Sequence, residues 1–245
     1  EYNGLYWHGE KREGHRKGKD KNYHLNKTEA ASRAGIRLIQ IFEDEWLEKR
    51  DIVESRLRHI LGNSQETRYA RKLQIRDVSK NSCDKFLEQY HIQGNTIGAS
   101  SSLGLYDGDE LVAVMTLGLG RYDRGSVELY RFASKGSVVG GFSKLFKAFI
   151  RRNPDVTRVI SYSDRRWSQG DVYSKNGFVL DSHSAPGYFW AKHAKRHHRQ
   201  SFQKHKLVNI LKHFDPEKTE VENCEANGYW RVFDCGQSKW VWTRA

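Results

Sequence analysis

No apolar run in this chain approaches the roughly 20 residues that a bilayer-spanning helix needs, and nothing at its start resembles a leader. Cysteine is scarce. Cys83, Cys224 and Cys235 are an odd, widely spaced set without a CxxC pair, which argues against a disulfide scaffold and for a soluble protein of a reducing compartment. Internal repeats and low-complexity tracts are missing as well. Acidic residues are in short supply: 30 Asp and Glu face 42 Lys and Arg, so the net charge is +12 and the field favours a polyanionic partner. Aromatic residues, by contrast, are plentiful. Seven Trp, twelve Tyr and eleven Phe argue against disorder and supply bulk for real cores. The length of 245 residues suits two small domains.

Residues 1–62 read as strand, charged loop (9–21), helix (22–34, closed by Gly35), strand (36–42) and helix. The last helix aligns Trp46, Ile52, Val53, Leu57 and Ile60 on one face and ends at Gly62. A chain that opens inside a strand is expected to continue upstream. Residues 63–78 form a basic linker. The 79–190 domain opens with a helix near 82–90, followed by a β-hairpin turning at Asp107-Gly108. Then come a strand over 127–134, a glycine-led amphipathic helix from Val138 to Ile150, a strand from Arg158 and a short helix from Gly170. Segments 178–180 and 187–190 are expected to close it as a strand pair. The 191–245 tail reads as a basic helix near 200–214 and a hairpin turning at Gly236.

Glu1 and His8 on one strand, with His24 and Lys27 one turn apart on the next helix, are ingredients for metal-assisted phosphodiester hydrolysis. A carboxylate can hold Mg²⁺, which polarises the phosphate, while His or Lys manages protons and charge. A hydrogen-bonded strand-end histidine is the structural alternative for His8. Glu43, Asp44 and Glu45 suit a helix N-terminus, although Glu43 could also reach a metal.

The segments EYNGLYWH, YHLNKTEA and GIRLIQIFEDEW resemble, in order and spacing, the phage homing endonucleases whose nuclease unit is similar to very-short-patch repair enzymes of the PD-(D/E)xK superfamily. The resemblance implies a partial restriction-endonuclease-like α/β unit over 1–62, short of the upstream strand that carries an aspartate in that family. It implies Glu1 as a catalytic and metal-holding carboxylate, with His8, His24 and Lys27 as further catalytic residues. It also implies a Mg²⁺ cofactor, double-stranded DNA as partner, a homodimer as one assembly, and the cytoplasm of a phage-infected bacterial host.

The hairpin, VELYRFAS, the Gly-Gly helix start, VISYSD and YSKNGF together resemble a GNAT-type acyltransferase. That resemblance implies a mixed α/β domain in which helix-start amides at Gly140, Gly141 and Ser143 hold a cofactor pyrophosphate. It also implies Tyr173 as general acid. The glycine spacing departs from that family's usual pattern. The same block also resembles the C-terminal half of phage homing endonucleases, where it would grip DNA. Arg165, Arg166 and Trp167 then offer two guanidiniums and a stacking surface; the alternative is a core Trp167 with arginines paired to Asp164 and Asp171. Lys192, Lys195, Arg196, Arg199, Lys204 and Lys206 form the clearest polyanion signal.

The expected fold class is therefore α/β: the partial nuclease-like unit, a GNAT-like mixed α/β domain and a basic C-terminal tail. The expected function is a metal-dependent DNA endonuclease of homing type. An acyl-CoA-dependent N-acyltransferase and a catalytically decayed DNA-binding protein are the alternatives.

Overall fold

The computed structural model describes residues 1–10, 18–123 and 125–244, so residues 11–17 of the expected 9–21 loop lie outside the described residues. In chain order the elements begin β1 (Tyr2–Asn3), α1 (Tyr23–Arg33), β2 (Ile41–Phe42), α2 (Glu43–Glu48) and α3 (Arg50–Ile60). They continue with β3 (Thr67–Tyr69), β4 (Gln74–Asp77), α4 (Lys80–Tyr90), β5 (Ala99–Asp107), β6 (Glu110–Leu119), β7 (Val127–Ser134) and β8 (Ser137–Val139). After these come α5 (Gly141–Arg152), β9 (Arg158–Asp164), α6 (Asp171–Ser174), β10 (Val179–His183), β11 (Tyr188–Lys192) and β12 (Lys195–His198). The last are α7 (Lys204–Leu207), α8 (Glu220–Ala226), β13 (Trp230–Phe233) and β14 (Gln237–Thr243). The chain divides into one unit of residues 1–48, 164–168 and 183–237, and a second of residues 49–163, 169–182 and 238–245.

The second unit is built on a seven-stranded sheet in the order β10-β14-β9-β7-β6-β5-β4. Its hairpin closes at Asp107↔Glu110, where Gly108 adopts φ 59°, as the sequence leads one to expect. Strands β6 and β7 are antiparallel, whereas β7 and β9 are parallel. Helix α5 buries Phe142, Leu145, Phe146 and Phe149, the spacing of one helical stripe, in the larger core. A smaller core brings Cys83, Phe86 and Leu87 of α4 against Val114 and Ala133. The β6–β7 register shifts between Thr116 and Leu117, leaving Tyr130 as the extra residue of a β-bulge. Consequently Leu129 and Phe132, three apart, both join the larger core, while Ala133 joins the α4 core. Arg131, two residues before Ala133, shares its face.

The first unit carries the parallel pair β1–β2 and a three-stranded sheet in the order β12-β11-β13. Leu5, Phe42, Ala191 and Val232 form one small core; Trp190, Phe202, Leu207, Leu211 and Cys224 form another. Helix α8 starts with a capping box between Thr219 and Glu222.

The mixed α/β class stands, but a restriction-endonuclease-like unit does not: β1 and β2 contribute only two residues each to their pair. Two expected pairings are also corrected. Strand β13 pairs with β11 rather than with β14, and β10 pairs with β14 rather than with β11. The helix expected over 200–214 shrinks to a 3-10 turn at Arg199–Phe202 and the single turn of α7.

Candidate functional site

The parallel β7–β9 ladder runs from Val127↔Val159 to Leu129↔Ser161 and stops there. The stop coincides with the Tyr130 bulge, so one strand bends away where the other would have followed it. Ser161 Oγ donates to the Leu129 carbonyl (2.9 Å) and lies 3.1 Å from the Tyr173 hydroxyl. Tyr173 is thus anchored at the parting point. Its ring stacks on Trp240 at 5.5 Å and meets Phe142 edge-on. Gly170, at φ 89°, makes this approach feasible, because a Cβ there would stand 1.9 Å from the Trp240 ring. Burial pushes the Tyr173 phenol upward, against a smaller downward effect of Ser161 and Arg131. The group therefore keeps its proton at neutral pH and can donate it to a leaving anion.

Beyond the parting point, β8 leads into α5 through Gly140, which takes φ 75°. Val139 and Gly140 are exposed, and the helix start opens on a cleft of about 440 Å³ lined by Tyr69, Arg71, Gly140, Ser143, Lys144 and Lys147. Lys144 Nζ caps the carbonyls of Ala70 (2.8 Å) and Leu73 (2.5 Å), which fixes the segment that carries Arg71. Helix-start amides beside these cations form a donor set suited to a phosphate. A second cleft of about 520 Å³ shares Lys144 and Lys147 and has an apolar floor of Phe146, Ile150 and Trp242. Gly140, Gly141, Ser143 and Tyr173 therefore belong to one unit, around one helix start and one strand opening. Ser161, Arg71, Trp240 and the Tyr130 bulge are additions that the sequence reading missed. Only the alternation of small residues in VISYSD hinted at Ser161.

No family model and no curated relative matches the chain. Among solved structures it is similar to a Bacillus subtilis acetyltransferase in complex with CoA, at 15% identity and TM-score 0.41, over 71% of this chain and all of that one. It is also similar to an IAA acetyltransferase from Bacillus cereus, at 12% identity and TM-score 0.39, over 70% and 99% of the two chains. A GNAT family acetyltransferase from Elizabethkingia anophelis with acetyl-CoA bound gives 12% identity and TM-score 0.36, over 71% and 99%. The homing-endonuclease assignment is corrected on geometry: β1 and β2 pair over only two residues, and the expected nuclease residues are bonded to one another as Glu1–Lys27 and His8–His24. Among the described residues, moreover, no group of three or more His, Cys, Asp or Glu is arranged to hold a metal, so the Mg²⁺ expectation falls too.

The four residues expected to form the nuclease site do come together, as two closed pairs. Glu1 accepts from Lys27 Nζ at 2.8 Å, and His8 Nδ1 lies 2.9 Å from His24 Nε2. Burial, then the charge of His8, lowers His24 to about 4. The expected DNA-contacting residues divide sharply. Trp167 is 2% exposed, and Arg166 is buried in bidentate contact with Glu45 (3.0 Å) and with Asp164 (2.7 Å). Arg196 lies against Asp44 (2.8 Å) and Glu45 (3.0 Å). Arg165 pairs with Glu29, and Lys192 donates to the Asn227 carbonyl. Lys195, Arg199, Lys204 and Lys206 are exposed. Among the described residues no helix is long and apolar enough to cross a membrane.

Proposed function

We propose that the second unit is an acyl-CoA-dependent N-acyltransferase of the GNAT type. The observation that carries this reading is the opening of the parallel β7–β9 pair at a bulge, with Tyr173 anchored at the opening and a glycine-led helix start beyond it. CoA, when bound, supplies an acyl group activated as a thioester. The protein's part is to hold, orient and protonate. The α5 amides, Arg71 and Lys147 fit the diphosphate, and the adjoining cleft over Phe146, Ile150 and Trp242 accepts an apolar ring. The bulge takes Tyr130 out of the ladder, and side chains serve the carbonyls there: Leu129 accepts from Ser161 and Tyr130 from Arg131. Tyr173 Oη, kept protonated by burial, would supply the proton that a thiolate leaving group requires.

Two measurements test this reading. Acetyl-CoA at about 100 times its Kd should stabilise the protein by about 2.7 kcal/mol. Tyr173→Phe should then lower kcat by about 10²-fold with little change in KM for acetyl-CoA. Absence of both stabilisation and thiol release over a broad panel of amines would overturn it.

The exposed Lys195, Arg199, Lys204 and Lys206 of the first unit support a separate reading of that surface as an attractor of an acidic partner, double-stranded DNA being the probe. Duplex retention that does not weaken with added salt would refute it.

A further inference from the structure

On the α4 face of the opening, charge is unbalanced. Arg131 Nε donates to the Gly94 carbonyl (3.4 Å) and its Nη1 to the Tyr130 carbonyl (2.9 Å). Lys49 Nζ donates to the Ile92 carbonyl at 2.8 Å, so two cations clasp the turn that follows α4. His91 opens that turn, its Nδ1 accepting from the Gln93 amide at 3.2 Å. Directly across the sheet from Arg131 stands Thr116, buried at 1% exposure, with a hydroxyl that finds no hydrogen-bond partner among the described residues. Cross-strand partners share a face, so this hydroxyl lies beside the guanidinium stem.

The acidic groups nearby are otherwise engaged. Glu128 is buried and paired with Arg121, and Glu88 accepts from the Asn95 amide at 3.0 Å. Arg56 adds further positive charge toward His91. Burial, then the charge of Arg121, brings Arg131 down to about 10, and the same two influences, burial and the cations, keep His91 neutral. Half-buried cations whose hydrogen bonds go to backbone carbonyls leave room for a negative group from outside.

Arg131 stands two residues past Leu129, about 7 Å along β7 from the parting point. It also faces away from α5, where the phosphate-binding cleft opens. We infer that Lys49, His91, Arg131 and Thr116 bind an oxyanion of the acyl acceptor, so that the substrate is an amine also bearing a carboxylate or a phosphate. The inference rests on the acyltransferase reading of the same opening.

Thiol release from acetyl-CoA tests it with matched acceptors: β-alanine against propylamine, and phosphoethanolamine against ethanolamine. The wild type should favour at least one acidic member by about tenfold or more in kcat/KM, and which member wins separates carboxylate from phosphate. Arg131→Gln should raise KM for that acceptor about tenfold or more while sparing kcat, and Arg131→Lys should restore part of the loss. Equal use of acidic and neutral amines, or an unchanged preference in folded Arg131→Gln, would overturn the inference. In parallel, inorganic phosphate at constant ionic strength should raise the melting temperature of the wild type but not of Arg131→Gln. If no amine is acetylated and acetyl-CoA gives no stabilisation, the acyltransferase reading fails, and the acceptor assignment with it. If acylation proceeds without acid preference, only this inference fails.

Discussion

Glu45 is the most exacting place to perturb the first unit, because one buried carboxylate serves two buried guanidiniums. It accepts from Arg166 Nη1 and Nη2 at 3.0 Å each, from Arg196 at 3.0 Å and from the Phe42 amide at 3.0 Å. Burial alone would raise its pKa; the charges of Arg166 and Arg196 outweigh burial and hold it at about 2, against an ordinary 4.5. A shift of that size corresponds to about 3 kcal/mol of stability. Glu45→Gln keeps the shape and one acceptor oxygen but removes the charge, leaving the guanidiniums to Asp164 and Asp44. The expected loss is about 3 kcal/mol near pH 7, the lower end of what breaking a buried ion pair costs. The folded pKa is depressed, so the contribution is complete above the unfolded value and disappears as pH falls through the folded one. The wild-type advantage should shrink to about 1 kcal/mol near pH 3 and vanish below about pH 2. Urea unfolding of both proteins, followed by tryptophan fluorescence, measures the difference directly, and groups that titrate alike in both cancel. A loss under about 1 kcal/mol near pH 7, or a loss that does not change with pH, would refute the reasoning.

Three further outcomes are expected. His24, lowered to about 4 by burial and then by His8, should titrate near that value by NMR; because the unfolded chain binds the proton more readily, stability should fall as pH drops from about 6.5 toward 4. A His24 resonance that titrates near 6.5 contradicts the buried pair. Gly140→Ala should cost about 1–2 kcal/mol, pure backbone strain at φ 75°, since the nearest atom to its Cβ is Ala70 Cβ at 3.8 Å. Gly170→Ala combines φ 89° with a 1.9 Å collision against Trp240 and should cost clearly more, about 3 kcal/mol or above. Equal melting temperatures for the two variants would show that the Trp240 contact does not constrain the site.

Local signals carried the second unit well. Asp107-Gly108 between alternating runs announces its hairpin, and the apolar stripe from Phe142 to Phe149 announces α5. What local signals cannot encode is partner choice across distance. Trp230–Phe233 and Gln237–Thr243 flank Gly236 and look like a hairpin, yet the first pairs with Tyr188–Ala191 and the second joins β9 and β10. Tertiary pairing decides this, because each strand buries its face in a different core: Val232 with Leu5 and Phe42, Trp240 with Phe142 and Phe178. The Tyr130 bulge is equally silent in sequence. Nothing in VELYRFAS marks where the register slips, yet the slip decides which side of the sheet Arg131 serves.

The basic run and the acidic cluster show why charge composition misleads about function. Arg166 and Arg196 count toward the +12 that suggested a polyanion, but inside the first unit they are matched by Asp44, Glu45 and Asp164. Glu43, in the same acidic run, accepts the Leu5 amide at 2.8 Å, so its position at the strand end is also occupied by structure. The same test separates the two candidate sites. Glu1, His8, His24 and Lys27 are adjacent, but Glu1 and Lys27 pair their charges and burial keeps His24 neutral, so what this cluster leaves over is an uncharged group, the unpartnered His24 Nδ1 among the described residues. At the β7–β9 opening, the helix start with Arg71 and Lys147 on one side and Arg131 with Thr116 on the other present donors without a hydrogen-bonded anionic partner among the described residues. Binding sites are places where a fold leaves such debts uncollected, because closing them internally would be the more stable arrangement. By that criterion the open donors lie on the seven-stranded sheet, which is where the proposed acyl transfer is to be tested, and the buried ion network belongs to the stability of the first unit.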